Sequence, residues 1–112
     1  MKRIEAIIRP AKVPDVCAAL EKAGHPGVTI SEVTGRGSQK GWGNHIRGVV
    51  YNVNLLAKAR VEVVAKDEDA ELIIKAIRDA ALTGEVGDGR IFVHEMADAI
   101  RIRTNESGMA AL

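Results

Sequence analysis

The sequence predicts an α+β fold of the ferredoxin-like kind, a βαββαβ sandwich carrying one long flexible loop. Three observations predict it. Apolar residues alternate with period two in some segments and recur at helical spacing in others. The second half of the chain repeats the apolar pattern of the first at an offset of 57 positions, laying Val16 on Ile73, Leu20 on Ile77 and Ala23 on Ala80. Between the halves, residues 35–54 contain Gly35, Gly37, Gly41, Gly43 and Gly48 and read as neither helix nor strand. With 112 residues, the chain is the length of a single domain, 1–112.

The first strand comes from Ile4, Ala6 and Ile8 alternating with Glu5, Ile7 and Arg9, and Pro10 ends it. Pro14 suits the first turn of a helix, where its missing N–H costs nothing. Val13, Val16, Cys17, Leu20 and Ala23 form that helix's apolar stripe, and Gly24 is its C-terminal cap. Val28, Thr29, Ile30 and Val33 give a second strand over about 27–33.

After the loop, residues 60–64 alternate with a valine-rich face. Asp67, Glu68 and Asp69 place acids where a helix N-terminus favours negative charge. Ile73, Ile74, Ile77 and Ala81 supply the next helical stripe, and 90–95 supplies the last strand. Two such units build a four-stranded antiparallel sheet with both helices on one face. The opposite face would remain open, with Ile7 and Val64 on it. An exposed apolar sheet face marks an interface, so a homo-oligomer with ligand sites at its seams is expected.

Composition narrows the function. The formal net charge is +1, which gives no large sequence-independent attraction to nucleic acid. Trp42, Tyr51 and Phe92 are the whole aromatic set, too few for a base-stacking platform. Direct nucleic-acid binding is therefore not expected. Cys17 is the single cysteine, which excludes an internal disulfide and suits a reducing compartment. No apolar run reaches bilayer length, so membrane insertion is not expected and a soluble, cytoplasmic chain is. His25, His45 and His94 with Cys17 match no recognisable metal-site spacing.

Two glycine segments differ from nucleotide fingerprints. Residues 35–41, GRGSQKG, have the wrong spacing for a dinucleotide motif and precede no helix. Residues 83–90, TGEVGDGR, are not a P-loop, yet Gly87 and Gly89 would let backbone N–H groups turn toward an anion, with Arg90 adding charge. Arg101 and Arg103 offer guanidinium forks suited to phosphates. By charge pattern alone they read as a solvated tail.

TGEVGDGRIF followed by RIRT, preceded by GSQKG and RGVVY, resembles the PII nitrogen-regulatory signal transducers over the length of the chain. The resemblance implies a homotrimer with clefts between subunits that bind ATP or ADP. Gly87, Asp88, Gly89 and Arg90 match the phosphate-cradling loop at 83–90, Arg90 standing where lysine is usual. Arg101 and Arg103, in a C-terminal loop at 101–112, match residues reaching the phosphates across the subunit boundary. Thr29 and Val64 match positions beside the nucleoside, and Gly37 and Ser38 fall within the nucleotide set. Gln39 matches the residue that helps hold Mg²⁺ between ATP and 2-oxoglutarate. Lys58 matches the lysine pairing with a 2-oxoglutarate carboxylate, and Gly87, Gln39, Lys40 and Gly41 would complete that ligand's site. The chemistry is coherent, since a 2-oxo acid and phosphate oxygens together chelate a hard cation, making the two ligands positively coupled.

The implied function is a nitrogen, carbon and energy sensor, regulatory rather than enzymatic, with at most slow ATP hydrolysis. It would control a target protein through a loop at 36–54. Family targets include an ammonium transporter, nitrogen-metabolism enzymes and signalling kinases. Tyr51 matches the family's uridylylation position, but the run Ile46-Arg47-Gly48-Val49-Val50-Tyr51 departs from the usual Arg-Gly-Ala-Glu-Tyr. Ser38 stands where arginine is frequent, with Arg36 two residues earlier, and Ala57 replaces a frequent proline. Two alternatives from other classes are a trimeric metal-binding protein resembling CutA and a slow nucleotide-hydrolysing enzyme.

Overall fold

The computed structural model describes residues 1–36, 44–46, 49–51 and 55–112, the segments 44–46 and 49–51 in their backbone only. Its elements are β1 (Lys2–Ile8), α1 (Val13–Lys22), β2 (Thr29–Arg36), β3 (Asn44–Ile46), β4 (Val49–Tyr51), β5 (Leu55–Ala65), α2 (Ala70–Ala81) and β6 (Arg90–Glu95). Four strands form an antiparallel sheet in the order β2-β5-β1-β6. Each βαβ half is thus split by a strand of the other, which is the ferredoxin-like arrangement expected.

One face of the sheet is closed by both helices. Ile4, Ala6 and Ile8 of β1 and Ala59, Val61, Val63 and Ala65 of β5 alternate inward. They meet Val16 and Leu20 of α1 and Ala70, Ile73, Ile77 and Ala81 of α2. The pairs Val16/Ile73 and Leu20/Ile77 occupy the core as the internal repeat predicts. Cys17, placed on the stripe from sequence, is only half-buried, as are Ala23 and Ala80. Cys17 and Ala23 fall at the margin of the narrow apolar stripe of α1, and Ala80 at that of α2.

Helix α1 ends in a Schellman arrangement, with Gly24 N–H donating to Glu21 O at 3.0 Å and His25 N–H to Leu20 O at 2.8 Å. Before α2, residues Asp67–Asp69 form a 3₁₀ turn. The Asp67 carboxylate holds the chain's amino terminus at 2.8 Å, a different use from the helix-dipole role expected of it. That bond holds its carboxyl below the usual carboxylate range.

Three expectations need correction. Strand β2 continues to Arg36 and β5 begins at Leu55, so both strands run further than the alternation suggests. Pairing drives this: Thr29 to Arg36 stands against Glu62 to Leu55 in unbroken register, and cross-strand hydrogen bonds override the weak strand preference of Gly35. Second, the stretch 35–54 is not free of regular structure, because β3 and β4 pair antiparallel, Asn44 opposite Tyr51 and Ile46 opposite Val49. Third, the open face is not chiefly apolar. Ile7, Val64, Val33 and Phe92 lie there, but Arg3, Glu5, Arg60, Glu62 and His94 occupy its middle, where Arg60 pairs with Glu5 at 3.1 Å and Arg3 lies 3.6 Å from Glu62.

Candidate functional site

The loop between α2 and β6 is built around one carboxylate. Asp88 accepts from Thr83 N–H at 2.9 Å, from Gly84 N–H at 2.9 Å and from the Thr83 hydroxyl. Arg9 Nε approaches it at 3.4 Å. The Thr83 hydroxyl and N–H, with Gly84 and Arg9, hold the Asp88 carboxyl well below the usual carboxylate range, so it remains an anion directed into its own loop. Arg9 also donates to Val86 O at 2.8 Å, tying the loop to the end of β1.

Gly89 closes the loop on the sheet. Its φ is +103°, and a Cβ built there would stand 1.7 Å from the carbonyl oxygen of Ile7. Only a residue without a side chain allows the backbones to approach so closely. Gly87 has a φ of +104°, so the segment turns twice in the left-handed region within three residues.

This loop, the ends of β2 and β5 and the sheet floor enclose an open cleft of about 470 Å³. Ile7, Leu56 and Phe92 give it apolar walls, while Gly35 and 87–89 give it backbone. Lys58, Arg36 and Arg90 bring positive charge to its lining, with Glu85 at the rim of the same loop. Lys58 Nζ donates to Gly87 O at 2.7 Å. Partial burial, and then the nearby Arg9 guanidinium, push the Lys58 ammonium below its ordinary pKa, Asp88 acting weakly the other way. A desolvated cation whose hydrogen bond goes to a neutral carbonyl is short of compensating charge. The cleft therefore suits an anion with several oxygens.

Of the residues singled out from sequence, Lys58, Gly87, Asp88, Gly89 and Arg90 come together here. Asp88 does so with its carboxylate already engaged, so its side chain shapes the loop. Thr29 and Val64 are on the same open face but at its far end: Thr29 opposes Glu62, four residues along β5 from Lys58, and Val64 lies two further. At strand spacing that is about 13–20 Å away. Arg101 and Arg103 do not line the cleft. Arg101 donates to Leu112 O at 3.1 Å and lies 3.7 Å from Glu106, within a turn that an Ile100–Ser107 bridge closes. Arg103 is exposed. Gly37, Ser38, Gln39, Lys40 and Gly41 lie outside the described residues, as does the side chain of Tyr51, whose backbone belongs to β4.

Sequence reasoning did not single out Arg9, Thr83, Leu56 or Phe92 for the site. Their roles follow from strand order, which sets the end of β1 beside the loop leading into β6. Among the described residues, no group of three or more His, Cys, Asp and Glu side chains could hold a metal ion. None of the described helices is long and apolar enough to cross a membrane.

Comparison with known proteins gives one consistent result. A family model described as nitrogen regulatory protein P-II matches residues 1–106. The chain is 51% identical over 112 residues to a nitrogen regulatory protein P-II of Rhizobium meliloti (strain 1021), covering 100% of both chains. It is 46% identical to nitrogen regulatory protein P-II 2 of Methanothermobacter thermautotrophicus, over 100% of this chain and 97% of that one. It is also 46% identical to a nitrogen regulatory protein P-II of Nostoc punctiforme, with 100% of both covered.

Proposed function

The chain belongs to the nitrogen regulatory protein P-II family, and we propose that it senses energy and carbon–nitrogen status by binding ATP or ADP and, with Mg-ATP, 2-oxoglutarate. The observation that carries this reading is the cleft at Lys58, where Lys58, Arg36 and Arg90 converge and the Asp88 carboxylate is tied away inside its loop. Three cations against the carboxylates of Glu85 and Asp88 leave the lining net positive, which favours an anionic ligand. Phosphates and carboxylates both qualify.

Lys58 would pair with the distal carboxylate of 2-oxoglutarate, displacing or sharing its bond to Gly87 O. Arg90 and the turned backbone at 87–89 would hold phosphate oxygens. Mg²⁺, held with the help of Gln39, would supply a hard cation joining the two ligands' oxygens. Thr29, Val64, Arg101 and Arg103 lie outside one chain's cleft, a distribution that fits a site completed by neighbouring subunits of a homotrimer. In this reading the loop at 36–54 changes its affinity for a target protein as ligands bind. The protein acts as a cytoplasmic regulator and not as an enzyme.

Calorimetry on the purified chain tests this. Addition of 2-oxoglutarate should release binding heat in the presence of Mg-ATP and much less in its absence. A folded protein giving no heat with Mg-ATP present would sink the proposal.

A further inference from the structure

The cleft lies at the end of a ladder. Strands β2 and β5 pair in unbroken register from Thr29 opposite Glu62 to Arg36 opposite Leu55. Gly35, Arg36 and Leu56, from the last two pairs, all line the cleft. These pairs are also where the loop at 36–54 joins the sheet. Little holds them together. Gly35 has no side chain, Leu55 is 57% exposed and Arg36 is exposed, whereas Ala59, Val61 and Val63 further along β5 are buried. Pairs at a strand end with few buried apolar contacts open at low free-energy cost. The ladder thus runs from an end fixed in the core to an end secured by little besides its own backbone bonds.

Two cations flank that end from different strands. Lys58 stands on β5 opposite Val33, and its stem passes beside the space a side chain at Gly35 would fill, where a Cβ would lie 3.4 Å from Lys58 Cγ. Arg36 stands on β2, three positions further along the ladder, roughly 10 Å at strand spacing. By alternation the two residues start on opposite faces, so an anion held by both is gripped round the end of the ladder. Among the described residues, Arg3, Arg9, Arg60 and Arg101 each lie within ion-pair distance of a carboxylate, whereas Arg36 belongs to no such pair. A guanidinium in that position offers its fork of donors to an oxyanion.

We propose that Arg36 carries occupancy of the cleft to the root of the loop: an oxyanion bridging Arg36 to Lys58 staples β2 to β5 at the last pairs of their ladder. The proposal rests on the anion-binding reading of the cleft given above, and adds the residue through which binding there is felt by the loop. Without a ligand, Lys58 is bound to Gly87 O, and its charge and that of Arg36 repel each other. An anion between them replaces that repulsion by two attractions, one to each strand. By reciprocity, whatever holds the last pairs together strengthens binding of the anion. A carboxylate and a phosphate share the chemistry required.

The test is amide hydrogen exchange of the full chain, read at the ladder end over 33–36 and 55–57 and, as a check on occupancy, over 83–90. It is run without ligand, with Mg-ATP, and with Mg-ATP and 2-oxoglutarate, each at a concentration that calorimetry shows to be saturating. In the wild type, exchange at the ladder end should slow by about tenfold on saturation. Slowing with Mg-ATP alone identifies a phosphate as the bridging group, and slowing only after 2-oxoglutarate identifies a carboxylate. Arg36→Gln should bind about three- to tenfold more weakly. Once saturated, it should protect 83–90 as the wild type does and leave the ladder end unprotected. Arg36→Lys, which keeps the charge, should recover part of that protection. A wild-type ladder end indifferent to saturation, or one protected as strongly in Arg36→Gln, overturns the staple and leaves the cleft reading intact. No binding heat from any ligand in either protein overturns the cleft reading, and the staple with it.

Discussion

The ammonium of Lys58 donates to the carbonyl oxygen of Gly87 at 2.7 Å, across 29 positions of sequence. It joins the middle strand β5 to the loop before β6 at the place where the proposed ligand would sit. The bond acts as a placeholder, a neutral acceptor standing where an anion's oxygen would bind more strongly. A ligand arriving there both neutralises a desolvated cation and frees the carbonyl of a loop rich in left-handed turns.

Replacing Lys58 by methionine should therefore separate binding from folding. Burial and the neighbouring Arg9 hold the Lys58 pKa below its ordinary value, so its charge opposes folding at neutral pH and the bond to Gly87 O offsets that cost. Chemical denaturation of Lys58→Met should match the wild type within about 1 kcal/mol. Calorimetry on the same sample should show 2-oxoglutarate binding weakened by about a hundredfold, the cost of losing a charged hydrogen bond.

Gly89→Ala should be severely destabilising. The new methyl group would meet the Ile7 carbonyl at 1.7 Å, with a backbone already at φ +103°. A loss of about 2–4 kcal/mol in denaturant unfolding is expected. Gly84 provides the control: its φ of +88° strains alanine, but nothing stands within 4 Å of the site. Gly84→Ala should cost about 1–2 kcal/mol.

Acid stability should depend on Asp88. Its folded-state pKa lies below the unfolded value, so the stabilisation it provides is complete above about pH 4 and is lost as pH falls further. Asn at this position cannot titrate. The stability difference between wild type and Asp88→Asn, measured by thermal unfolding, should be constant near neutrality and shrink progressively below about pH 4. A difference that stays constant down to pH 2 would contradict the clasp.

The core sets the scale for these effects. Ile77 is fully buried where α2 meets the sheet. Ile77→Ala should cost about 2–5 kcal/mol by calorimetric or denaturant unfolding. The exposed Leu72, on the same helix but 51% accessible, should lose less than about 1 kcal/mol on the same substitution.

Local patterning made much of the fold legible. The strand Arg90–Glu95 has the limits its alternation indicates, and Ile73, Ile77 and Ala81 are buried as their spacing requires. Patterning could not show that Leu55 and Leu56 belong to β5, or that Gly35 and Arg36 belong to β2, because those residues become strand by pairing with one another. The charged middle of the open face escaped for a related reason. Glu5 and Arg60 look solvated when read singly, and only the register sets them against each other. For the site, the glycines at 87 and 89 were visible as a departure from ordinary turn chemistry. The task of Asp88 was not, since its partner Arg9 comes from the opposite end of the chain.

The interleaving of strands in the order β2-β5-β1-β6 has a consequence for the duplicated pattern. In either half taken alone, the two sheet strands, β1 with β2 or β5 with β6, are never hydrogen-bonded neighbours. A chain severed between β4 and β5 would give two fragments, each holding a helix and a pair of strands with the intervening one missing. Neither fragment could close its ladder without the other, so the fragments should be unfolded apart and recover structure on mixing. The repeat is visible in the writing of the chain, but the smallest unit that can fold is the whole of it.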